Sequence, residues 1–118
     1  MITLHHLNNS RSQRILWLME DKIEHYQRDP ITILAPKSLQ KIHPLGKSPV
    51  IIDHDNPALE DAPIAESGAI IEYLVEQYDP NLKPSNPKTL IEYRYWMHYA
   101  EGSLMPPLLM NLVVNKMK

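Results

Sequence analysis

The first 29 residues follow the pattern of a strand, a helix and a second strand, and no other feature restricts the fold as strongly. Residues 2–7 carry β-type side chains and predict the first strand. A helix is predicted over residues 13–23, because its apolar residues recur in steps of three and four: Ile15, Leu18, Met19 and Ile23. Residues 24–29 predict the second strand. Together these elements form a βαβ unit, whose strands are parallel and whose crossover is right-handed.

The start of this first helix has two compatible interpretations. Ser10 and Gln13 have the spacing of a capping box, which places the helix start close to Ser10. On this interpretation Ser10 or Ser12 caps the helix. A helix start also offers unpaired N–H groups and a partial positive charge, so the same position suits a phosphate, a carboxylate or a thiolate.

The following residues extend the unit to an α/β domain. One or two helical turns are predicted over residues 37–42, and short strands over residues 50–52 and 62–65. A helix follows over residues 66–78. The predicted order over residues 1–79 is therefore β-α-β-α-β-β-α.

The rest of the chain predicts helices. Residues 80–88 contain three prolines and form a stiff linker. Residues 89–118 have helical spacing that Pro106 and Pro107 interrupt, and they are rich in aromatic and aliphatic side chains. One more helix on the α/β unit would leave an apolar flank exposed, which soluble monomers avoid. We therefore expect residues 89–118 to be the start of a truncated second domain, or to be covered by a partner chain.

Composition excludes several classes of protein. With 43% hydrophobic and 22% charged residues, the chain is predicted to be globular, and its apolar runs are too short for a membrane span. A formal net charge of −2 gives no attraction to nucleic acid. The absence of cysteine excludes disulfides, thiolate zinc sites and CxxC redox chemistry. A cytoplasmic location is expected by default, because the N-terminus lacks the pattern of a signal peptide.

The adjacent histidines His5 and His6 are the first candidates for a metal site. Neighbouring residues on a strand point to opposite faces of the sheet, so the two cannot ligate one metal without distortion. No HxxxH or HExxH spacing accompanies them. We therefore expect no metal, and we interpret the pair as a strand end near solvent.

A second helix start, at Glu66 and Ser67, repeats the arrangement at Ser10. Taken alone, Ser67 is interpreted as a plain cap. Glu66 beside it adds a carboxylate for an ammonium group, while the N–H of Ser67 suits a carboxylate. The pair is therefore also a candidate clamp for a free amino-acid end.

A third feature is Ser48-Pro49, directly before the strand over residues 50–52. In the cis form this peptide would turn the backbone N–H and C=O of Ser48 outward, where they can pair with an extended peptide. Lys37 and Lys47 are close enough in sequence to receive a terminal carboxylate. The three features together suit a small peptide with an amino end and a carboxylate end.

Four stretches carry a family resemblance that covers nearly the whole chain in the family's order: residues 9–18, 43–50, 66–74 and 99–108. On these residues the chain resembles glutathione S-transferases, in the bacterial and fungal groups nearest the theta-like, serine-type members. The resemblance implies a thioredoxin-like glutathione-binding domain over residues 1–79. The linker 80–88 would join it to the start of an all-α domain over residues 89–118.

The resemblance also implies roles at the two helix starts. Ser10, or alternatively the adjacent Asn9, would donate a hydrogen bond to the thiolate of glutathione. Glu66 and Ser67 would hold the amino and carboxylate groups of the γ-glutamyl unit.

The remaining implied contacts lie in the middle of the chain. Ser48, before a cis Pro49, would pair through its backbone with the cysteinyl unit. Lys47, and less directly Lys37 or His43, would lie near the glycyl carboxylate.

As a whole, the resemblance implies a glutathione transferase that acts in detoxification as a homodimer. Its co-substrate would be glutathione and its second substrate a small electrophile, with no metal, nucleic acid or membrane involved. The alternatives are a non-catalytic binding or interaction module on the same fold, and a glutathione-dependent peroxidase or reductase.

Overall fold

The computed structural model describes residues 1–8, 10–19, 22–26 and 37–117. These residues form two compact units, Met1–Leu74 and Val75–Lys118. The candidate site lies in the first unit. In the described part of the chain, no helix is both long and apolar enough to cross a membrane.

The first unit is built on a sheet of four strands: β1 (Ile2–Leu7), β2 (Lys22–Tyr26), β3 (Val50–Asp53) and β4 (Ile64–Ala65). The spatial order is β2-β1-β3-β4. Strand β1 is parallel to β2 and antiparallel to β3, and β4 is antiparallel to β3. This topology confirms the predicted βαβ unit and the α/β class.

Helix α1 is shorter than predicted, because it runs from Ser12–Leu18 only. Met19 already has extended backbone angles, with φ −137° and ψ 150°. Ile23, predicted on the apolar face of this helix, instead lies in β2 opposite Leu4. An isolated apolar residue fits a helical step and a buried strand equally well, so periodicity alone did not locate the boundary. The predicted strand residues 27–29 lie outside the described residues.

The later elements follow the predicted order, although β4 covers only the last two of the predicted strand residues 62–65 and α2 extends past the end of the first unit. A 3₁₀ turn at Lys37–Lys41 confirms the helical turns expected over residues 37–42. A second 3₁₀ turn lies at Pro57–Leu59, and helix α2 covers Ser67–Tyr78. The core of the unit is a cluster of six buried aliphatic side chains from β1, α1, β3 and α2: Ile2, Leu4, Ile15, Ile51, Ile70 and Leu74.

All six residues of β1 are buried, since β1 is an inner strand of the sheet. His5 is 6% exposed and His6 is 4% exposed. The expectation that this pair lies near solvent is therefore wrong. The local pattern of one strand carries no information on whether other strands flank it on both sides.

A buried carboxylate, Asp53, ties the end of β3 to α2. The Tyr73 hydroxyl donates to Asp53 Oδ2 at 2.6 Å, and the Asn56 amide donates to the Tyr73 hydroxyl at 3.1 Å. Burial, and then the hydrogen bond to Asp53, raises the pKa of Tyr73 above its usual value of 10.0. The phenol therefore stays neutral and donates to the carboxylate across the ordinary pH range.

Replacing Tyr73 with phenylalanine should lower the free energy of unfolding by about 1–2 kcal/mol, because Asp53 is 1% exposed and loses a donor. Chemical denaturation measures the change. Tyr95→Phe is the matched control, because Tyr95 is 58% exposed and its ring contacts do not depend on the hydroxyl. Equal denaturation midpoints for Tyr73→Phe and the parent chain would contradict the stabilising role of this hydrogen bond.

The second unit is helical. Helix α3 (Pro87–Tyr99) begins at Asn86, whose side chain accepts hydrogen bonds from the N–H groups of Lys88 and Thr89. A π-helical segment, Ala100–Leu104, leads directly into helix α4 (Met105–Lys116).

Pro106 and Pro107 do not interrupt the helical path, contrary to prediction. Both lie in the first turn of α4, where proline is tolerated because the N–H groups of that turn need no intrahelical partner. The wider π-helical segment before them is the local adjustment to this sequence.

Candidate functional site

The strand register brings the candidate residues to one edge of the sheet. Val50 is paired with His5 on one side and with Ala65 on the other. The carboxyl ends of β1 and β4 therefore meet the amino end of β3. Ser48 lies two residues before Val50, and Glu66 directly follows Ala65. Residues distant in the sequence thus become neighbours at this edge.

Ser48 is held directly against the central strand. Its hydroxyl donates to the backbone oxygen of His5 at 3.2 Å. The Ser48–Pro49 peptide is cis, as the family resemblance implied, and Pro49 is buried. The half-buried Ser48 thereby lies beside the last residues of β1, directly before β3 begins.

Glu66 has an unusual backbone at the start of α2. Its φ is 74°, in the left-handed region that a non-glycine residue rarely adopts. The N–H of Ile70 donates to its carbonyl at 2.9 Å, so Glu66 itself is the N-cap residue. Ser67 is the first helical residue and is 5% exposed, so the interpretation of Ser67 as the cap is wrong. The cap position is set by where the chain leaves β4, which local composition does not reveal.

Lys47 brings a positive charge to the same edge. Its ammonium group lies 3.3 Å from the carboxylate of Glu66, and the two side chains are 54% and 70% exposed. An ion pair this exposed contributes little stability. Both groups are therefore available to a charged ligand at small cost.

The other two candidate cations are less closely attached to this edge. Lys37 is exposed in its 3₁₀ turn, and within the described residues no hydrogen bond or ion pair ties it to Glu66 or Ser48. His43 is half-buried, and its Nδ1 accepts from the N–H of Leu45 at 3.3 Å. The structure therefore brings Lys47, but not Lys37 or His43, next to Glu66, and the binding roles of all three stay predictions.

Ser10 lies just beyond β1, but it does not cap α1 as predicted. The N-cap residue is Arg11, and no side chain makes the capping bond. The Ser10 hydroxyl instead donates back to the Leu7 carbonyl and accepts from the N–H of Ser12 at 3.3 Å. The capping-box prediction is therefore wrong, because the N–H of Gln13 donates to the Ser10 carbonyl and not to the Ser10 hydroxyl. Asn9, the alternative to Ser10, lies outside the described residues.

Ser12 and His6 lie behind Ser10, and neither was predicted from the sequence as a residue of the glutathione site. The Ser12 hydroxyl lies 2.8 Å from that of Ser10 and 2.7 Å from His6 Nδ1. Ser12 is 0% exposed and His6 is 4% exposed. The two-residue spacing of the serines in the sequence could have indicated their contact, because a turn can bring such hydroxyls together. No local feature of the sequence predicted that His6 is buried.

No three histidine, aspartate or glutamate side chains within the described ranges are grouped so that they could hold a metal ion. The chemistry of this edge is instead that of hydroxyl groups, backbone amides and one exposed pair of opposite charges. Such groups bind and orient a polar organic ligand.

The chain is similar to proteins of one family along most of its length. Residues 1–76 match the family model described as the glutathione S-transferase N-terminal domain. The chain is 43% identical over 111 residues to Glutathione S-transferase 3 of Schizosaccharomyces pombe, with 90% of this chain and 43% of that protein covered. It is 36% identical over 125 residues to Glutathione S-transferase 1 of Saccharomyces cerevisiae, with 100% of this chain and 53% of that protein covered. The chain thus spans about half the length of these curated relatives.

A solved structure agrees in fold. A glutathione S-transferase of Actinobacillus pleuropneumoniae matches with a TM-score of 0.70 and 36% identity, over 81% of this chain and 46% of the other. The family match and this likeness confirm the predicted thioredoxin-like N-terminal fold followed by helices.

Proposed function

The chain belongs to the glutathione S-transferase family, and we propose that it binds glutathione at the sheet edge described above. In this proposal the bound thiol ionises, and the thiolate attacks a small electrophile. Glutathione is a co-substrate that is consumed, and the chain itself has no cysteine.

The left-handed backbone of Glu66 carries this proposal. A non-glycine residue at φ 74° costs about 1–3 kcal/mol, and such residues cluster at ligand sites. Here the residue lies at the N-terminus of the 12-residue helix α2, where unpaired N–H groups and the helix dipole favour an anion. The Glu66 carboxylate is 70% exposed beside that terminus, so it can receive a cation. An amino-acid end carries both charges on one carbon, which fits this pair of groups.

The neighbouring groups match the rest of a short peptide. Ser48 lies beside the amino end of β3, and its backbone can extend the sheet pairing to the cysteinyl unit. Lys47, only weakly held by Glu66, can move to a terminal carboxylate. Lys37 and His43 stay secondary candidates for that carboxylate.

Ser10 is proposed as the donor to the thiolate. The thiolate is the nucleophile, yet a thiol with a pKa of about 8.5 is only a few per cent ionised at pH 7. A hydroxyl that donates to the sulfur stabilises the charged form and lowers that pKa. The thiolate then forms a carbon–sulfur bond to the electrophile, whose leaving group or adjacent carbon accepts the electron pair.

The proposal also includes the oligomeric state, the location and the domain division of the protein. We propose a homodimer that works in the cytoplasm, where thiols are kept reduced. We also propose a division into a glutathione-binding domain over residues 1–79, a linker over residues 80–88 and a helical domain from residue 89, with the last two linker residues already in helix α3. Exposed apolar side chains on that helical part, such as Trp96 at 60% and Leu108 at 54%, support further contacts there.

Isothermal titration should detect binding of reduced glutathione with a Kd of roughly 1 μM to 1 mM, the range of ordinary substrate affinities. An equimolar mixture of glutamate, cysteine and glycine is the matched control and should give no comparable heat. An absence of binding to glutathione would contradict the proposal.

Two assays on the same sample separate the alternative functions. Conjugation of an electrophilic aromatic halide supports the transferase, while reduction of a hydroperoxide at the expense of glutathione supports the peroxidase. Binding of glutathione without either reaction would instead favour the non-catalytic module.

A further inference from the structure

A continuous row of hydrogen bonds joins a buried histidine to the candidate thiolate donor. His6 Nδ1 lies 2.7 Å from Ser12 Oγ, which lies 2.8 Å from Ser10 Oγ. The Leu7 carbonyl lies 3.0 Å from Ser12 Oγ and also accepts from Ser10. Two backbone donors complete the set, since Leu7 N–H donates to Ser12 Oγ at 3.1 Å and Ser12 N–H donates to Ser10 Oγ at 3.3 Å.

The number of available protons indicates which group donates in each hydrogen bond of this row. A carbonyl has no proton to give, so the contact between Ser10 and Leu7 uses the single hydroxyl proton of Ser10. The contact between the two serines must then use the proton of Ser12, which lies between Ser10 Oγ and the Leu7 carbonyl. No hydroxyl proton remains for the 2.7 Å contact with His6. The proton count therefore favours donation from Nδ1 of His6 to the Ser12 hydroxyl.

The opposite assignment is less favourable. If Ser12 donated to a bare Nδ1 of His6, the contacts of Ser12 with Ser10 and with Leu7 would both lack a proton. Each would bring oxygen lone pairs together at 3.0 Å or less in a buried place, where unsatisfied polar contacts are costly.

We propose that His6 is a positioning residue, whose Nδ1–H turns the Ser12 hydroxyl toward Ser10 and so leaves the Ser10 proton free to point out of the row. This inference rests on the proposed function, because the acceptor outside the row is the glutathione sulfur. When the sulfur arrives, the Ser10 proton moves from the Leu7 carbonyl to it. The Ser12 hydroxyl remains within reach of both Ser10 and Leu7.

Cooperativity gives the row its chemical effect. A hydroxyl that accepts hydrogen bonds becomes a better donor, by about 10–30% of the bond's strength for each bond in the chain. Ser10 then accepts from Ser12 twice, through the hydroxyl and the backbone N–H. Its own hydrogen bond to the thiolate is strengthened accordingly.

The first test uses the free chain and requires no glutathione. Nitrogen-15 chemical shifts of the His6 ring report which nitrogen carries a proton. We expect a proton on Nδ1. A neutral ring protonated only at Nε2 would overturn the inference, whether or not glutathione binds.

The second test measures the ionisation of bound glutathione through thiolate absorbance against pH. His6→Leu should lower the acid dissociation constant of the bound thiol about two- to five-fold, with a smaller change in glutathione affinity. His6→Asn should restore most of the loss, because its side-chain amide can donate from nearly the same position. Ser12→Ala should act like His6→Leu and provides a second variant if His6→Leu fails to fold.

His5→Leu is the matched control, since His5 is a buried histidine on the opposite face of the same strand. It should leave the thiol ionisation unchanged. Equal ionisation in folded Ser12→Ala or His6→Leu and in the parent chain would overturn the inference. A parent chain that binds no glutathione would instead contradict the proposed function, and the ring-nitrogen measurement would still decide the direction of the row.

Discussion

Replacing Ser10 with alanine should raise the pKa of the bound glutathione thiol by about one to two units, because one hydrogen bond to a charged group contributes about 1.5–3 kcal/mol. The direction of this pKa shift follows from the form of the thiol that the Ser10 hydroxyl stabilises. A hydroxyl stabilises the thiolate and hardly affects the neutral thiol, so its loss disfavours ionisation. At pH 7 the thiolate fraction should fall about five- to fifty-fold, from near half to about 1–10%.

Glutathione affinity at low pH should change much less, since the neutral thiol does not depend on this donor. Thiolate absorbance against pH, together with calorimetry on the same variant, separates the two effects. Ser38→Ala is the matched control, because Ser38 is exposed in the 3₁₀ turn Lys37–Lys41. It should leave the titration unchanged.

The alternative donor Asn9 is tested in the same titration. A shift in Asn9→Ala without a shift in Ser10→Ala would assign the donor to Asn9. Melting temperatures of both variants are needed, because the Ser10 hydroxyl also bonds to the Leu7 carbonyl in the turn after β1.

Glu66→Ala and Ser67→Ala should each weaken glutathione binding about 10- to 100-fold, since Glu66→Ala removes the carboxylate that would bind the ammonium group and Ser67→Ala removes a hydroxyl donor beside the backbone N–H that would bind the carboxylate. Both residues lie at the start of α2, Glu66 with an exposed carboxylate and Ser67 as the first helical residue. Calorimetric titration measures the affinities. Glu66→Gln isolates the charge, because it keeps the size of the side chain.

Glu60→Ala is a close control for Glu66→Ala. Glu60 is also an exposed glutamate with a left-handed backbone, at φ 50°, but it follows the 3₁₀ turn Pro57–Leu59 instead of preceding α2. The two substitutions therefore impose similar backbone changes. Unchanged affinity in folded Glu66→Ala and Ser67→Ala would remove the clamp from the proposed site.

The element types were largely predictable from the sequence, because they depend on patterns within ten or fifteen residues. The β-type run at residues 2–7 and the apolar stripe of α2 each specify one element. Their order along the chain indicated the βαβ unit and the α/β class. The boundaries of the elements were harder to predict, as Ile23 illustrates, since an apolar residue suits the face of a helix and a β-strand alike.

The candidate residues were also recognisable in the sequence, but their roles in the free chain were not. Ser10 and Ser67 were both predicted as caps by their residue type and their place before a helix. Ser10 turns back to the Leu7 carbonyl, and Glu66 takes the cap position with a left-handed backbone. Backbone direction at such a turn depends on where the preceding strand ends.

The sequence by itself determined the fold class and the set of polar residues available for a site, because hydrophobic periodicity and residue chemistry are local properties. Only the tertiary structure decided which of those residues meet. The register between β1, β3 and β4 brings Ser48 and Glu66 to the same edge, and the inner position of β1 buries His6 behind Ser12 and Ser10. Pairing between distant strands sets these contacts, and no short stretch of sequence contains that information.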